Sequence, residues 1–112
     1  MTKELNECAV ACSDTHKTAL ETMRYCLITG GRHARNGQLL RLLDCARLCG
    51  TAEAACLSDA ADAARAAEAC AKACERSAAD CGRFEEPEMR QCAEVCLYCA
   101  HACYRVVHAV PA

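Results

Sequence analysis

Residues 91–105 read QCAEVCLYCAHACYR. The cysteines of this run, Cys92, Cys96, Cys99 and Cys103, stand at i, i+4, i+7 and i+11, the spacing of one face of an α-helix. At about 100° per residue they fall near 0°, 40°, −20° and 20°, an arc of roughly 60°. A core helix normally carries Leu, Ile or Val on such a stripe. Here the stripe is sulfur, so the positions that should fill a hydrophobic core bear soft metal ligands.

Working outward, every predicted helix repeats the pattern. A first helix over about Thr2 to Ile28 places Leu5, Cys8, Cys12, Ala19, Met23 and Cys26 close to one face, within about 60° of Cys8. Gly30-Gly31 ends it, and GGRHARNG forms a polar connection closed by Gly37. A second helix, from about Gln38 to Leu57, aligns Leu42, Cys45, Cys49 and Cys56, with Leu39, Leu43 and Leu48 widening its apolar side. Ser58 or Asp59 is the expected N-cap of the next helix. That third helix, about Asp59 to Cys81, is alanine-rich and therefore strongly helix-forming; Cys70, Cys74, Ser77 and Cys81 share a face. Gly82 is its expected stop, and Pro87 sits in the first turn of a fourth helix reaching about Ala109. Pro111 follows it, next to last in the sequence.

Four helices of about 20 residues with short connections predict an all-α fold, an antiparallel up-down-up-down four-helix bundle with a cysteine-lined core. The 112 residues suffice for a single domain spanning 1–112. CxxxC occurs five times, at Cys8/Cys12, Cys45/Cys49, Cys70/Cys74, Cys92/Cys96 and Cys99/Cys103. With a rise of about 1.5 Å per residue, Cys8, Cys12, Cys56 and Cys103 fall toward one end. Cys45, Cys49, Cys70, Cys74, Cys96 and Cys99 crowd the middle, and Cys26, Cys81 and Cys92 lie near the other end. The thiols line a column about 30 Å long on this rise.

Composition narrows the function. The net charge is −2, from 13 basic and 15 acidic residues interspersed along the chain, which gives no electrostatic case for nucleic acid or an anionic membrane. The hydrophobic fraction of 54% rests on 24 Ala and 13 Cys, against 17 Leu, Ile, Val and Phe together. So few large apolar residues would suggest disorder, but the low net charge and high helix propensity oppose it. A core of Ala and Cys buries little apolar area per side chain, so the working form needs another source of stability. The N-terminus carries no apolar run of signal-peptide length, and no stretch approaches membrane-spanning length; the expected location is the cytoplasm. In that reducing compartment thirteen cysteines are expected as ligands rather than disulfides.

Disulfides also fit the spacing badly, since Cβ atoms at i and i+4 are about 5–6 Å apart and a disulfide wants about 3.8 Å. Cross-helix bridges remain open. Zinc or cadmium needs four convergent ligands, and the thiols could hold about three unbridged sites of that kind. An iron–sulfur cluster needs a compact cysteine loop, which the sequence lacks. Cu(I) is soft, accepts two or three thiolates and carries one charge. With bonds near the zinc–sulfur length of about 2.3 Å, a linear S–Cu–S unit spans about 4.6 Å, within reach of CxxxC. One Cu(I) per thiolate, with bridging sulfurs, leaves the column near neutral, and loading should release protons and stabilise the bundle.

With CARLC and CAKAC preceding CAEVCLYCAHAC, the chain resembles the four-helix-bundle copper storage proteins over essentially its whole length, specifically their cytosolic bacterial branch. The resemblance implies storage or buffering of multiple Cu(I) ions, up to about one per Cys, by the inward-facing cysteines Cys8, Cys12, Cys26, Cys45, Cys49, Cys56, Cys70, Cys74, Cys81, Cys92, Cys96, Cys99 and Cys103. It also implies a homotetramer. The chain departs from that branch in having fewer cysteines, with Thr15 and Ala19 on the lined face of the first helix. Each CxxxC would chelate an ion, and the end layers would exchange copper first.

Met23 and His16, the latter near 80° on the first helix, are ancillary ligand candidates beside their readings as core filler and boundary residue. His101 and His108 point outward on the fourth helix by this geometry. Family histidines near the end of the last helix can line the copper mouth, which keeps His108 as a candidate. His33 reads as solvated, Arg41, Arg47, Lys72 and Glu75 as solvated faces, and Tyr25, Tyr98 and Tyr104 as packing between helices or protomers. No general base stands beside an open metal position, so an enzyme is not expected. Two alternatives stay open: a zinc- or cadmium-sequestering metallothionein-like protein, and a thiol–disulfide redox protein.

Overall fold

A computed structural model describes residues 2–109. Thr2 caps the first helix, α1 (Lys3–Thr29), its hydroxyl accepting from the Leu5 N–H at 3.2 Å. Gly30 ends α1 at φ 69°, and its N–H reaches the Cys26 carbonyl at 2.9 Å, a left-handed exit that glycine enters without a Cβ clash. A 3-10 turn, Gly31–Ala34, follows. Helix α2 spans Gln38–Leu57, α3 spans Ala63–Cys81 and α4 spans Pro87–Ala109.

The start of α3 differs from expectation. Ser58 closes α2 instead of opening α3, its hydroxyl donating to the Ala54 carbonyl at 2.8 Å. Asp59 turns left-handed at φ 52°, and the Ala60 N–H returns to the Ala55 carbonyl at 3.0 Å. This is a Schellman closure with aspartate at the usual glycine position. Asp62 then becomes the N-cap position. Alanine propensity made the whole SDAADAAR stretch look helical, but antiparallel neighbours need a reversal, and Asp59 supplies it.

The helices form a square antiparallel bundle: α1 packs on α2 and α4, and α3 on α2 and α4. The long axis extends 45 Å against 19 and 18 Å across. Each helix turns its stripe of small residues to the centre. All thirteen cysteines have no exposed surface, and Ala19, Ala46, Ala52, Ala67 and Ala71 are equally buried between them. Large apolar side chains are few in this core; Leu42, Met89 and Val106 are its largest fully buried ones. No described helix is long and apolar enough to cross a membrane.

The polar connections are structured. His33, expected in solvent, keeps only 11% of its side chain exposed. Its Nε2 bonds the Glu86 carboxylate, and its ring lies 4.3 Å from that of Phe84 and edge-on to Tyr25 at 5.9 Å. Arg32 stacks over Phe84 at 4.5 Å. The 3-10 turn and the α3–α4 connection thus close over one end of the bundle. Two expected solvated residues also work across seams: Arg41 of α2 pairs with Asp80 of α3, and Glu75 accepts from the Tyr104 hydroxyl at 2.7 Å. Tyr25 joins the closed end through Glu86 at 3.2 Å, while Tyr98 is 65% exposed.

Candidate metal centre

The four stripes converge into one file of sulfur. At the end formed by the start of α1 and the end of α4, Cys8 lies 3.6 Å from Cys103 and 3.9 Å from Cys12, and Cys56, buried nearby, has its acidity shifted chiefly by Cys8. Cys12 continues to Cys70, Cys99 and Cys103, each at 3.8 Å. Cys70 meets Cys49 at 3.5 Å and Cys74 at 3.9 Å. Cys45 stands 3.8 Å from Cys74 and 4.0 Å from Cys96. Beyond Cys96 lie Cys92 and Cys81, near enough to shift one another's acidity. All thirteen are free thiols.

Two sets of four sulfurs each lie within 4.8 Å of one another: Cys12, Cys70, Cys99 and Cys103, and Cys49, Cys70, Cys74 and Cys99. Cys70 and Cys99 belong to both sets. Any ions in these two sets would share ligands, as bridging thiolates do. For bonds of about 2.3 Å, three-coordinate sulfurs stand about 4.0 Å apart and tetrahedral ones about 3.8 Å. The observed 3.5–4.0 Å spacing therefore suits both coordination numbers. Charge separates them. Two divalent ions on the six thiolates of these overlapping sets leave two negative charges in a buried file, whereas a monovalent ion per thiolate leaves none.

Hydrogen bonding sorts the acidities of the thiols. Cys92 is pushed down to about 4, first by the neighbouring thiol of Cys81 and then by that of Cys96. Cys8 is lowered chiefly by Cys103, and Cys99 likewise. The donating partners move the other way: Cys12 is raised chiefly through Cys103, and Cys74 through Cys45. Cys26 is raised by burial first and by the charge of Cys92 second. A cation that takes the place of these protons relieves both burial and mutual repulsion.

Between sulfurs the core holds short polar side chains that are satisfied internally. The Thr15 and Thr22 hydroxyls each donate to a carbonyl one turn back at 2.8 Å. Ser77 donates to the Arg41 carbonyl at 3.3 Å.

His16 lies at the α1–α2 seam, where Nδ1–H donates to the Ala46 carbonyl at 2.8 Å. Met23 is half-buried and packs against the core. His108 is exposed and stacks on Tyr104, with ring centroids 6.3 Å apart; His101 is exposed as expected. The methionine that reaches the file is Met89, which has no exposed surface and whose Sδ lies 3.7 Å from Cys26 Sγ. Its position three residues before Cys92, about 60° away on the helix, was a legible signal. Gln38 had no such signal. It is 1% exposed, its Nε2 lies 3.7 Å from Cys81 Sγ, and its Oε1 is buried without a partner.

A bundle whose axis is a continuous file of buried free thiols is a scaffold for a polynuclear metal–thiolate core. The model of the copper storage protein family matches residues 1–108, and the chain belongs to that family. The chain is similar to the solved structure of the Nmul_A1745 protein from Nitrosospira multiformis, with 26% identity over 98% of this chain and 100% of that one and a TM-score of 0.91. It is similar also to the Cu(I)-bound copper storage protein BsCsp3, with 26% identity over 94% and 99% of the two chains and a TM-score of 0.87. No curated protein sequence matches the chain.

Proposed function

We propose that this protein stores or buffers Cu(I) in the cytoplasm, holding the ions as thiolate-bridged cargo along the bundle axis with its thirteen cysteines as ligands. The observation that carries this reading is the file itself. Every cysteine is free and fully buried, contacts of 3.5–4.0 Å run through most of its length, and two overlapping sets of four share Cys70 and Cys99. A soft monovalent ion matches the ligand type and the charge. Membership of the copper storage family and similarity to a Cu(I)-bound relative agree with it. The family points to storage rather than catalysis.

So many reduced thiols require a reducing compartment, which supports the cytoplasm. Exposed Val10, Leu27 and Ile28 on α1, Leu40 and Leu57 on α2 and Leu97 and Tyr98 on α4 support the homotetramer that the resemblance implies. Beside the Cys8 end lies a cavity of about 330 Å³ bordered by Leu5, Ala60, Ala63, Val106 and Ala109. The opposite end is covered by Phe84 and His33. We therefore read the cavity end, nearest His108, as the mouth through which copper passes.

The sets of four also favour a second reading, a zinc- or cadmium-sequestering core. An anaerobic titration of the reduced protein with Cu(I) against a chromophoric chelator, paired with a Zn(II) titration, separates the two. Uptake of roughly one Cu(I) per cysteine is expected. Saturation by one or two Cu(I), with tighter retention of zinc, would overturn storage of copper.

A further inference from the structure

The covered end of the file is chemically unlike the rest. Elsewhere the close contacts join thiol to thiol, but here Cys26 Sγ meets the thioether of Met89 at 3.7 Å. Both side chains are without exposed surface. Gln38 lies in the same cluster, with its amide nitrogen 3.7 Å from Cys81 Sγ and its unpartnered oxygen buried. Phe84, 6% exposed, and the His33–Glu86 pair separate this end from solvent.

Met89 is anchored in the first turn of α4. It follows Pro87 by two positions in α4 and faces inward beside sulfur. A thioether is a soft donor that carries no charge and needs no deprotonation. Paired with one thiolate, it gives a monovalent cation two soft ligands with zero net charge. That matters at the end of a file, where the sulfur in contact with Cys26 is the Met89 thioether rather than another thiol. The orphan Gln38 oxygen adds the negative end of an amide dipole to the same cluster, and leaving it unpaired is costly unless a positive charge stands nearby.

We propose that Cys26 and Met89 hold a Cu(I) ion of their own at the covered end, a neutral thiolate–thioether site that terminates the thiolate-bridged file. The assignment rests on the storage reading and adds a ligand to it. The ion is monovalent, enters as Cu(I) and displaces only the Cys26 thiol proton. No electron is transferred. Because the site lacks a second thiolate, it binds more weakly than the bridged core and fills after it.

The test uses selenomethionine-labelled protein, loaded anaerobically with Cu(I) and examined by X-ray absorption at the selenium edge. The scattering path from selenium to copper reports thioether ligation directly, whatever the thiols do. Wild type should show the path, and M89L, which nearly conserves volume, should abolish it while the bridged core still loads. A chelator titration of M89L should lose the last and weakest Cu(I) equivalent. A loaded wild type without a selenium–copper path overturns the site while storage stands. A path removed by M23L and kept in M89L moves the thioether ligand to Met23 and overturns the assignment too. If wild type takes up no series of Cu(I) ions at all, the storage reading fails and the site with it. If M89L does not fold, M23L decides: a path kept in M23L supports Met89, and a path lost there overturns the assignment.

Discussion

Removing the sulfur of Cys70 should cost more copper than removing that of Cys56, although both are single, fully buried cysteines. Cys70 lies 3.5 Å from Cys49, 3.8 Å from Cys12 and 3.9 Å from Cys74 and is shared by both sets of four. Cys56 lies at the end of the file and belongs to neither set. If each sulfur bridges neighbouring Cu(I) ions, C70A strips a ligand from two ions and lowers capacity by roughly two equivalents, whereas C56A lowers it by roughly one. Both variants should fold. Deleting one buried heavy atom costs about 1 kcal/mol, in the range of an Ile→Val change, against a typical stability of about 5–15 kcal/mol. Alanine is the right replacement, since serine would bury a hydroxyl needing a new partner. Capacity is read by anaerobic Cu(I) titration against a chromophoric chelator, and folding by helical circular dichroism. Equal losses in the two variants, with both folded, would refute bridging and with it the claim that the file is one continuous store.

Other consequences are open to direct measurement. The thirteen buried thiols should react slowly with a thiol reagent in the native apo protein and quickly in denaturant; fast native reaction of several thiols would favour the redox alternative. Glu86 offers a pH signature. Burial pushes its carboxyl up, but its backbone N–H, His33 and Tyr25 together outweigh that and hold it below the usual value of 4.5. Its stabilisation is therefore present above about pH 4.5 and lost as pH falls through the lowered folded value. Melting temperatures across the acid range should show this component in wild type and not in E86Q, and identical profiles would count against it. H16A should lower stability by about 1 kcal/mol through loss of one hydrogen bond, seen in the denaturant midpoint. Its Cu(I) capacity should be unchanged, and a lost equivalent would make His16 a ligand.

Helix positions were largely legible because the cysteines themselves carry the helical period. A residue type that repeats at i, i+4 and i+7 states both the element and its inward face, and the spans of α2 and α4 follow directly. The start of α3 was not legible. Its leading alanines satisfy helix propensity in any context, and only the antiparallel packing demands the left-handed Asp59. Met23 and Met89 show the same limit at the site. Both lie near a sulfur stripe on a helical wheel, yet Met23 stays half-buried while Met89 meets Cys26. A wheel gives direction on one helix and says nothing of what stands opposite.

Composition and spacing determined by themselves that this is a helical bundle with a soft-ligand interior. Periodicity and ligand softness are properties of the chain and need no partner helix to be read. Tertiary structure decided what depends on residues far apart in sequence. Cys8 meets Cys103, and Cys70 becomes a node shared by two sets of sulfurs. His33 leaves solvent to close one end with Phe84 and Glu86. These contacts depend on helix register and on the path of the connections, which four separate stripes leave free until their packing sets them at a common depth.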